Sequence, residues 1–219
     1  MGLFDFGKAN TPTPTPGRGE VRDPSLVSGQ VMDLRELARH LDEDRALLMG
    51  ALQSLQPGMT PEALASALFS LCFRPLGLAA FFLSLIDWER DQLHFPFYYE
   101  GGRSRPRPPR SLSAAPGLTG HALMEGKPLY MRTVEEGRPY GLVLSDVEKQ
   151  SGLVPQSWYG VPLGADPAWG ARPFGVVSFQ SFQPDAFTES RLRLMDALGD
   201  ILAFALKADP DRPLSGHRT

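Results

Sequence analysis

The sequence predicts an α+β fold with a mostly antiparallel sheet. Three segments have the apolar spacing of amphipathic helices, and two pairs of strand-like segments lie between the second and the third of them. Each pair is joined by a short polar turn, as in a β-hairpin. The order of helices, hairpin, irregular middle, hairpin and helix differs from the regular alternation of strands and helices in α/β folds, and therefore favours the α+β class.

The first of the three helices is predicted from a capping box. Asp33 is followed three residues later by Glu36, and leucines follow at helical spacing: Leu34, Leu37, Leu41, Leu48, Leu52 and Leu55. The second helix is expected to begin at Thr60-Pro61-Glu62, with an N-cap, a proline at the first helical position and an acid in the first turn, and to end before Pro75. The third is expected to begin at Thr188.

The strands are predicted from two different patterns. Residues 78–86 form a continuous apolar run, which is typical of a central strand covered on both faces. Residues 93–99 alternate between apolar and other side chains, with Leu93, Phe95, Phe97 and Tyr99 on one face. Residues 157–163 and 174–182 form the second predicted hairpin, with its turn around residues 166–170.

The composition predicts one globular domain between two disordered tails. The chain has 219 residues, of which 42% are hydrophobic and 21% are charged, close to globular averages. Thr-Pro repeats with few apolar residues predict a disordered tail over residues 1–30, and a polar, proline-containing end predicts another over residues 209–219. Residues 31–208 are left as a single domain that includes the first helix.

Charge and residue usage exclude several classes of function. The formal net charge of -3 offers no broad basic surface for nucleic acid, and the longest apolar run is too short to span a membrane. The chain begins without the apolar core of a secretory signal, so we expect a cytoplasmic protein. One cysteine excludes an intramolecular disulfide and multi-cysteine zinc sites, and no pair of the four histidines has metal-ligand spacing, so we expect no metal site.

Two stretches resemble the GAF family of sensory domains. The first is GLTGHALMEGKPLYM, residues 117–131, and the second contains SWYGVPL and FGVVSFQSFQPDAFTESRLRLMDALGDILAFAL, within residues 157–206. With the hairpin at 78–100, the resemblance covers roughly residues 45–207. It implies a sheet of about five to six strands, with long N- and C-terminal helices on one face and short lid helices on the other. It also implies a stand-alone, bacterial-type sensory or regulatory domain with a pocket beneath the lid.

The residue pattern of the predicted lid favours such a pocket. Gly117 and Gly120 let the chain turn into a short helix, and a second short helix is expected over 145–151, ended by Gly152. We therefore expect a small molecule between the sheet and residues 117–151. The candidate ligand-binding residues are Phe97, Tyr99, Arg110, Gly120, His121, Tyr130, Asp146, Trp158 and Ser178.

Three of these candidates carry alternatives. His121 either faces the pocket or is an ordinary solvent-facing residue of its helix. Strand alternation allows only one of Trp158 and Tyr159 to face the lid. Arg110 belongs to a run of four arginines, at 103, 105, 107 and 110, with no acid between them. This run either clamps an anionic ligand or acidic partner, or is a solvated loop.

The resemblance also implies which ligands and reactions to doubt. Members with a covalent bilin, and the branch that reduces free methionine sulfoxide, need reactive cysteines, whereas Cys72 lies on the apolar stripe of the second helix and is expected to be buried. We therefore expect no covalent bilin, and the cofactor, if any, is unknown. Cyclic-nucleotide members carry an Asp-Glu pair four and five residues after a phenylalanine; this chain keeps Phe187 but has Arg191 and Leu192 there.

The sequence therefore predicts a non-catalytic module, since it contains no recognisable catalytic motif. The first interpretation is a sensor that binds an unidentified small molecule and signals through its flanking helices, 33–56 and 188–207, to a separate protein. The leucines of the first helix favour a homodimer through these helices. The alternative is a ligand-free dimerisation or docking scaffold whose pocket is filled by its own aromatic side chains.

Overall fold

The computed structural model describes residues 24–142, 144–165 and 171–208, with the backbone alone for residues 24–32. The chain divides into two compact units, Met1–His40 and Leu41–Thr219. The described part of the first unit is helical. The second unit contains the sheet and the remaining helices.

Six α-helices and seven strands are present in the described residues. The helices are α1 (Pro24–Ser54), α2 (Pro61–Cys72), α3 (Gly117–Glu125), α4 (Val134–Gly137), α5 (Asp146–Ser151) and α6 (Glu189–Lys207). The strands are β1 (Ala80–Asp87), β2 (Gln92–Glu100), β3 (Arg103–Ser104), β4 (Arg107–Ser111), β5 (Leu129–Met131), β6 (Ser157–Leu163) and β7 (Gly175–Ser181). A short 3-10 helix follows α4 at Arg138–Tyr140.

The strands form one antiparallel sheet in the order β3-β2-β1-β7-β6-β5, with β4 also paired to β2. The predicted α+β class and both predicted hairpins are confirmed. The sheet has seven strands rather than about five to six, because the arginine- and proline-rich segment after β2 contributes the short strands β3 and β4. The turn predicted around residues 166–170 lies outside the described residues.

One face of the sheet is covered by long helices. Side chains of α2 and α6 pack on the sheet in a continuous apolar core with the buried part of α1. Its fully buried members include Leu68, Phe81, Phe179, Leu198 and Leu202. Each such side chain contributes about 1.5–3 kcal/mol by its removal from water.

The opposite face carries the short helices. A second apolar cluster joins the sheet residues Phe82, Ile86, Trp158 and Val176 to side chains of α3 such as Leu123. The two clusters lie on opposite sides of the sheet because neighbouring residues of β1, Phe81 and Phe82, belong to different clusters. The predicted placement of long helices on one face and lid helices on the other is thus confirmed.

Local capping signals set the ends of three helices as predicted. Thr60 accepts a hydrogen bond from the amide of Ala63 at 3.2 Å at the start of α2, and Thr188 caps α6 in the same way. Ser145 and Glu148 form a complete capping box at the start of α5, and Gly152 ends that helix in the left-handed conformation. These signals act over three or four residues and therefore need no tertiary context.

The first helix begins earlier than predicted. Its start is Pro24, within the segment 1–30 predicted to be disordered, and Asp33 lies inside the helix instead of capping it. A proline at the first helical position loses no hydrogen bond, so Pro24 is a suitable start. Residues 1–23 and 209–219, the remainder of the two predicted tails, lie outside the described residues.

The apolar stripe predicted for the first helix is only partly its packed face. The core residues of α1 are Leu47 and Ala51, and Leu55, directly after the helix, continues the same spacing of four residues. Four of the predicted leucines are more than half exposed: Leu34, Leu37, Leu41 and Leu52. Only Leu55 and the half-buried Leu48 of the predicted stripe pack on the core. The core therefore uses a neighbouring face of the helix.

Candidate functional site

A β-bulge in β2 decides which side chains face the lid. Leu83 of β1 pairs with Phe97, whereas Leu85, two residues on, pairs with His94, three residues away. One extra residue is therefore inserted in β2 between these pairs, next to Pro96, which has no amide hydrogen to contribute to the ladder. The alternation of side chains along β2 changes sides at this point.

Because of this bulge, two of the predicted site residues lie on the helix side of the sheet and not on the lid side. Phe95 and Tyr98 lie in the lid-side cluster, whereas Phe97 and Tyr99 pack against the long helices on the other face. Phe97 contacts Phe69 of α2 with ring centroids 5.6 Å apart, and Tyr99 contacts the same ring at 4.3 Å. Phe97 and Tyr99 are therefore core residues of the helix side, because the predicted alternation did not allow for an inserted residue.

A cavity of about 70 Å³ lies between the sheet and the lid helices. The sheet supplies the rings of Phe82, Phe95, Tyr98 and Trp158 and the amide of Gln180. The remaining wall consists of the arginines of β4, the first turn of α3 (117–119), Leu142 and Glu148 of α5. The cavity is thus aromatic on one side and charged on the other.

Two arginines of β4 are fixed beside this cavity by protein groups. The guanidinium of Arg107 donates a hydrogen bond to the hydroxyl of Tyr98 and lies 4.5 Å from the centre of the Tyr98 ring. The guanidinium of Arg110 donates to the carbonyl oxygens of Ala115 and Pro116, just before α3. Both are half-buried, and neither forms an ion pair with a carboxylate of the described residues.

The first turn of α3 brings backbone to the same place. Gly117 lines the cavity with a φ of 56°, a conformation that a residue with a Cβ adopts only with strain. The N-cap residue is Pro116, whose side chain makes no capping hydrogen bond. The amide groups that begin the helix therefore present partial positive charge at the cavity wall.

A buried acidic network closes the other end of the site. Glu100 is buried, and its carboxylate accepts hydrogen bonds from the hydroxyls of Ser145 and Tyr98. Glu148 accepts a hydrogen bond from the amide of Ser145 at 2.6 Å. Burial raises the pKa of Glu148 and that of the Tyr98 phenol, because it disfavours their charged forms. Ser145 thus fastens α5 to β2.

A wider depression of about 400 Å³ lies beside the cavity. It shares Tyr98, Arg107 and Arg110 with the cavity. Its other walls are Glu100, the segment 105–109 and residues 144–147 at the start of α5. We call it the outer depression; it places solvent-accessible space next to the two arginines.

Two of the predicted site residues line the cavity, and a third lines the outer depression. Arg110 and Trp158 belong to the cavity wall, and Asp146 to that of the outer depression. Of the two neighbouring aromatic residues of β6, Trp158 faces the lid side and Tyr159 faces the helices.

The other four predicted residues have structural contacts instead. A Cβ on Gly120 would lie 2.5 Å from that of Pro116, so this glycine permits close packing. His121 packs against Tyr140 with ring centroids 5.0 Å apart. The hydroxyl of Tyr130 bonds to Asp185 at 3.2 Å on the far side of the sheet. Ser178 is buried and accepts a hydrogen bond from Gln180 at 3.0 Å, behind the cavity wall.

The sequence interpretation missed several cavity residues, and signals for some of them existed. Tyr98 and Phe95 were obscured by the bulge, for which Pro96 within a strand was the available signal. Arg107 lies in the arginine run, whose interpretation as a solvated loop is wrong for Arg107 and Arg110, since both belong to a strand and are half-buried. No local signal indicated Phe82, Gln180 or Glu148 as cavity residues.

The single cysteine lies away from the cavity. Cys72 is fully buried at the end of α2, within the helix-side core, as predicted. Burial raises the pKa of its thiol to about 12, because the thiolate would be removed from water. A thiol with this pKa is almost entirely protonated near neutral pH, and the thiolate is the reactive form.

Residues 24–142, 144–165 and 171–208 contain neither a cluster of metal-ligating side chains nor a helix suited to a membrane. No three side chains among histidine, cysteine, aspartate and glutamate are grouped so as to hold a metal ion. Of the helices described there, none combines the length and the apolar character that crossing a membrane requires.

Solved structures with the same fold include domains of different activities. The GAF domain of a phosphoenolpyruvate-protein phosphotransferase from Acinetobacter is 14% identical, with a TM-score of 0.56, covering 77% of this chain and 92% of that one. The corresponding domain from Coxiella burnetii is 13% identical, with a TM-score of 0.57, covering 75% and 92%. A free methionine-R-sulfoxide reductase from Neisseria meningitidis, in complex with its substrate, is 18% identical, with a TM-score of 0.57, covering 75% and 89%. At these identities the likeness is one of fold.

Comparison at the level of sequence gives the family. No curated protein matches the chain. A family model described as GAF domain matches residues 58–207, which include the sheet, the lid helices and α6. This match spans more than half of the chain and agrees with the observed architecture, and the chain therefore belongs to the GAF domain family.

Proposed function

We propose that this chain is a non-catalytic sensor that binds a small molecule in the cavity between its sheet and its lid helices. The GAF fold supports a ligand-binding sensory or regulatory domain in general. The observation that carries the proposal is the cavity itself, which combines aromatic rings, two arginines and an open helix terminus on the face opposite to the long helices. A core serving packing alone has no need of charged groups in its wall.

The strand β6 offers a route from the cavity to the long helices. Trp158 lines the cavity, and the next residue, Tyr159, packs on the other face and donates a hydrogen bond to Asp196 of α6 at 2.6 Å. A ligand that displaces Trp158 alters the position of Tyr159 through their shared backbone. Such a ligand acts only if it binds two arrangements of the helices with unequal affinity.

We propose a second copy of this chain as the partner of the long helices. In the unit Leu41–Thr219, three large apolar side chains on these helices are more than half exposed: Leu41, Leu52 and Phe204. Leu41 has exposed neighbours of both charges, Asp42 and Arg45, so that two copies of the helix can pair their charges. Sedimentation equilibrium of the full chain is expected to give twice the monomer mass, and Leu41→Lys with Leu52→Lys to give a monomer. A wild-type monomer at high micromolar concentration contradicts this proposal.

The absence of catalysis is supported by the position of the thiol. One fold neighbour is a methionine sulfoxide reductase, and reduction of a sulfoxide by thiols needs an accessible thiolate. Here the single cysteine is buried in the core. Incubation with free methionine-R-sulfoxide and dithiothreitol is expected to yield no methionine above the protein-free rate. Reduction that is abolished in Cys72→Ala overturns this part of the proposal.

Ligand binding is tested by thermal shift of the full chain with nucleotides, tetrapyrroles and amino acids. Binding to the folded state raises the melting temperature. We expect one ligand class to produce a saturable rise that Leu118→Trp, which fills the cavity, abolishes. Met124→Trp is the matched control, because Met124 lies on the same helix and is exposed. A rise that survives Leu118→Trp places the ligand elsewhere.

The second candidate function is a ligand-free scaffold. The observation that favours it is the small size of the cavity, which at about 70 Å³ is less than half of the 150 Å³ that accommodates benzene in an engineered protein. A chain that dimerises normally, with no response to any ligand class and unchanged dimerisation in Leu118→Trp, supports the scaffold and overturns the sensor.

A further inference from the structure

The two arginines at the cavity form no ion pair within 4 Å with a carboxylate of the described residues. Arg107 and Arg110 both line the cavity, and their guanidinium groups donate to a phenol and to carbonyl oxygens, which are neutral acceptors. Neither forms an ion pair with a described carboxylate. Buried charges are normally paired with opposite charges, so two half-buried arginines without an ion pair in a single wall call for an explanation.

The arrangement costs free energy in the absence of an anion. Burial and the positive charge of Arg107 together lower the pKa of Arg110. The uncapped first turn of α3, with Gly117 and Thr119 in the same wall, adds the positive end of a helix dipole. An anionic group placed among them would offset all three contributions.

The acidic groups nearby do not remove this positive charge. Glu148 is the single carboxylate of the cavity wall; it accepts a hydrogen bond from the amide of Ser145, and the charge of Arg107 partly opposes the rise of its pKa. Glu100 lines the outer depression and accepts hydrogen bonds from the hydroxyls of Tyr98 and Ser145. Two arginines against one carboxylate leave the wall with an excess of one positive charge, before the helix dipole is counted.

We propose that the ligand of this domain carries an anionic group, a carboxylate or a phosphate, which binds between Arg107 and Arg110 at the start of α3. This inference rests on the proposed ligand-binding function and specifies its chemistry. The forked donors of two guanidinium groups suit the paired oxygens of either anion. The cavity of about 70 Å³ accommodates the anionic group, and the outer depression of about 400 Å³, which shares both arginines, accommodates the rest of a small organic acid or phosphorylated molecule.

The test uses thermal shift of the full chain with simple anions. Inorganic phosphate and acetate represent the two sources of negative charge, acetamide is the neutral analogue of acetate, and sodium chloride keeps the ionic strength constant. We expect a saturable rise in melting temperature with phosphate or acetate and none with acetamide. The anion that gives the larger rise distinguishes a phosphorylated ligand from a carboxylic acid.

Variants assign the effect to the two arginines. Arg107→Gln and Arg110→Gln are each expected to weaken the responding anion about 10- to 100-fold, the usual cost of losing a charged hydrogen bond. Arg103→Gln is the matched control, since Arg103 is exposed on the adjacent strand and lies in neither wall. Glu148→Gln is expected to strengthen anion binding several-fold, because it removes a negative charge that repels the anion. Arg110→Gln also loses the hydrogen bonds to the carbonyl oxygens of Ala115 and Pro116. If this variant fails to fold, Arg107→Gln and Glu148→Gln still decide the test.

Three outcomes overturn the inference. The first is no rise with either anion at constant ionic strength. The second is an equal loss of response in Arg103→Gln, which points to a diffuse surface effect. The third is a rise that persists in Leu118→Trp, which places the anion outside the cavity. If a neutral ligand of the wider panel binds in the cavity while both anions fail, the sensor function stands and only the anionic chemistry is rejected.

Discussion

The hydroxyl of Tyr159 donates a hydrogen bond to the carboxylate of Asp196 at 2.6 Å, joining β6 to α6. The neighbouring Trp158 faces the cavity on the other side of the sheet. Burial raises the pKa of Asp196, and the hydrogen bond from Tyr159 partly opposes that rise because it favours the carboxylate. The two faces of the sheet therefore meet at adjacent residues of one strand.

Tyr159→Phe tests the junction, because it removes the hydroxyl and keeps the ring. We expect it to lower the free energy of unfolding by about 1 kcal/mol at pH 7. The folded pKa of Asp196 lies above its unfolded value of about 3.9, so the carboxylate is protonated in both states near pH 3, and the difference from wild type shrinks there. Urea unfolding at both pH values measures this. Tyr140→Phe is the control: no hydrogen bond from the Tyr140 hydroxyl is described, so we expect its unfolding free energy to match wild type. If Tyr159→Phe loses the same free energy at both pH values, the hydrogen bond does not depend on the charge of Asp196.

The attachment of α5 to β2 depends on Ser145. Ser145→Ala removes both the cap of α5 and the hydrogen bond to the buried carboxylate of Glu100, which is left with the 3.4 Å contact from Tyr98. A buried carboxylate that loses a donor costs about 1–3 kcal/mol of unfolding free energy. Hydrogen exchange is expected to show faster exchange of the α5 amides.

Ser151→Ala is the matched control on the same helix. Its hydroxyl is exposed and donates to the carbonyl of Val147, so a change within about 0.5 kcal/mol is expected. If both serine variants behave alike, Ser145 has no special role in holding the lid.

The parts of the fold that the sequence predicted are those with local signals. Thr60 and Thr188 cap their helices as expected, because a cap bonds to an amide three residues away. Gly152 ends α5 in the left-handed conformation, which glycine adopts without strain.

The parts that the sequence did not predict depend on pairing between distant residues. The alternation through Phe95 and Phe97 continues in the sequence, but the bulge places the two rings on opposite faces. Arg107 belongs to a strand only because it pairs with Phe95 of β2, a contact that its proline-rich surroundings do not indicate. A third of the cavity wall, Phe95, Tyr98, Arg107 and Arg110, follows from these two features, and so the candidate site was predicted less well than the fold.

We expect the stability of the fold to depend on pH through Asp91, in the turn between β1 and β2. Asp91 accepts hydrogen bonds from the hydroxyls of Ser111 and Ser113, each at 2.6 Å, and these bonds lower its pKa. A lowered folded pKa means that the stabilisation is present above the unfolded value of about 3.9 and is lost as the pH falls through the folded value. Asp91→Asn is therefore expected to be less stable than wild type at pH 7, with a difference that narrows below pH 3.

Urea unfolding across this range measures the effect of Asp91→Asn. The left-handed backbone at Asp91, with a φ of 52°, is one that asparagine tolerates, so the variant tests the charge and not the turn. Glu89→Gln, an exposed residue of the same turn, is the control and is expected to follow wild type at every pH. A gap between Asp91→Asn and wild type that does not change with pH would show that the hydrogen bonds do not depend on the charge.

The contact between α6 and the second half of α1 rests partly on an ion pair. Arg191 donates to Asp44 at 2.6 Å, and both side chains are less than one-fifth exposed. Asp44→Asn is expected to cost about 1–2 kcal/mol, between the values for exposed and buried pairs, because Arg191 stays near Glu43 at 3.4 Å. Glu189→Gln breaks a 2.6 Å pair with Arg193 that is mostly exposed, and is expected to cost less than about 0.5 kcal/mol. Urea unfolding compares them, and equal costs would mean that burial does not matter at Arg191.

Cys72 is expected to be unreactive until the protein unfolds. Its thiol is fully buried in the core under α2, and burial raises its pKa to about 12, so both access and ionisation are suppressed. Ellman's reagent at pH 8 is expected to label no thiol in the native chain and one in 6 M guanidinium chloride. Cys72→Ala serves as the blank. Cys72→Ser is expected to be less stable than Cys72→Ala, and less stable than wild type by about 1–3 kcal/mol, because it buries a hydroxyl in an apolar site. Rapid labelling of the native protein would show that the core opens around α2, and it would reopen the question of thiol chemistry in this domain.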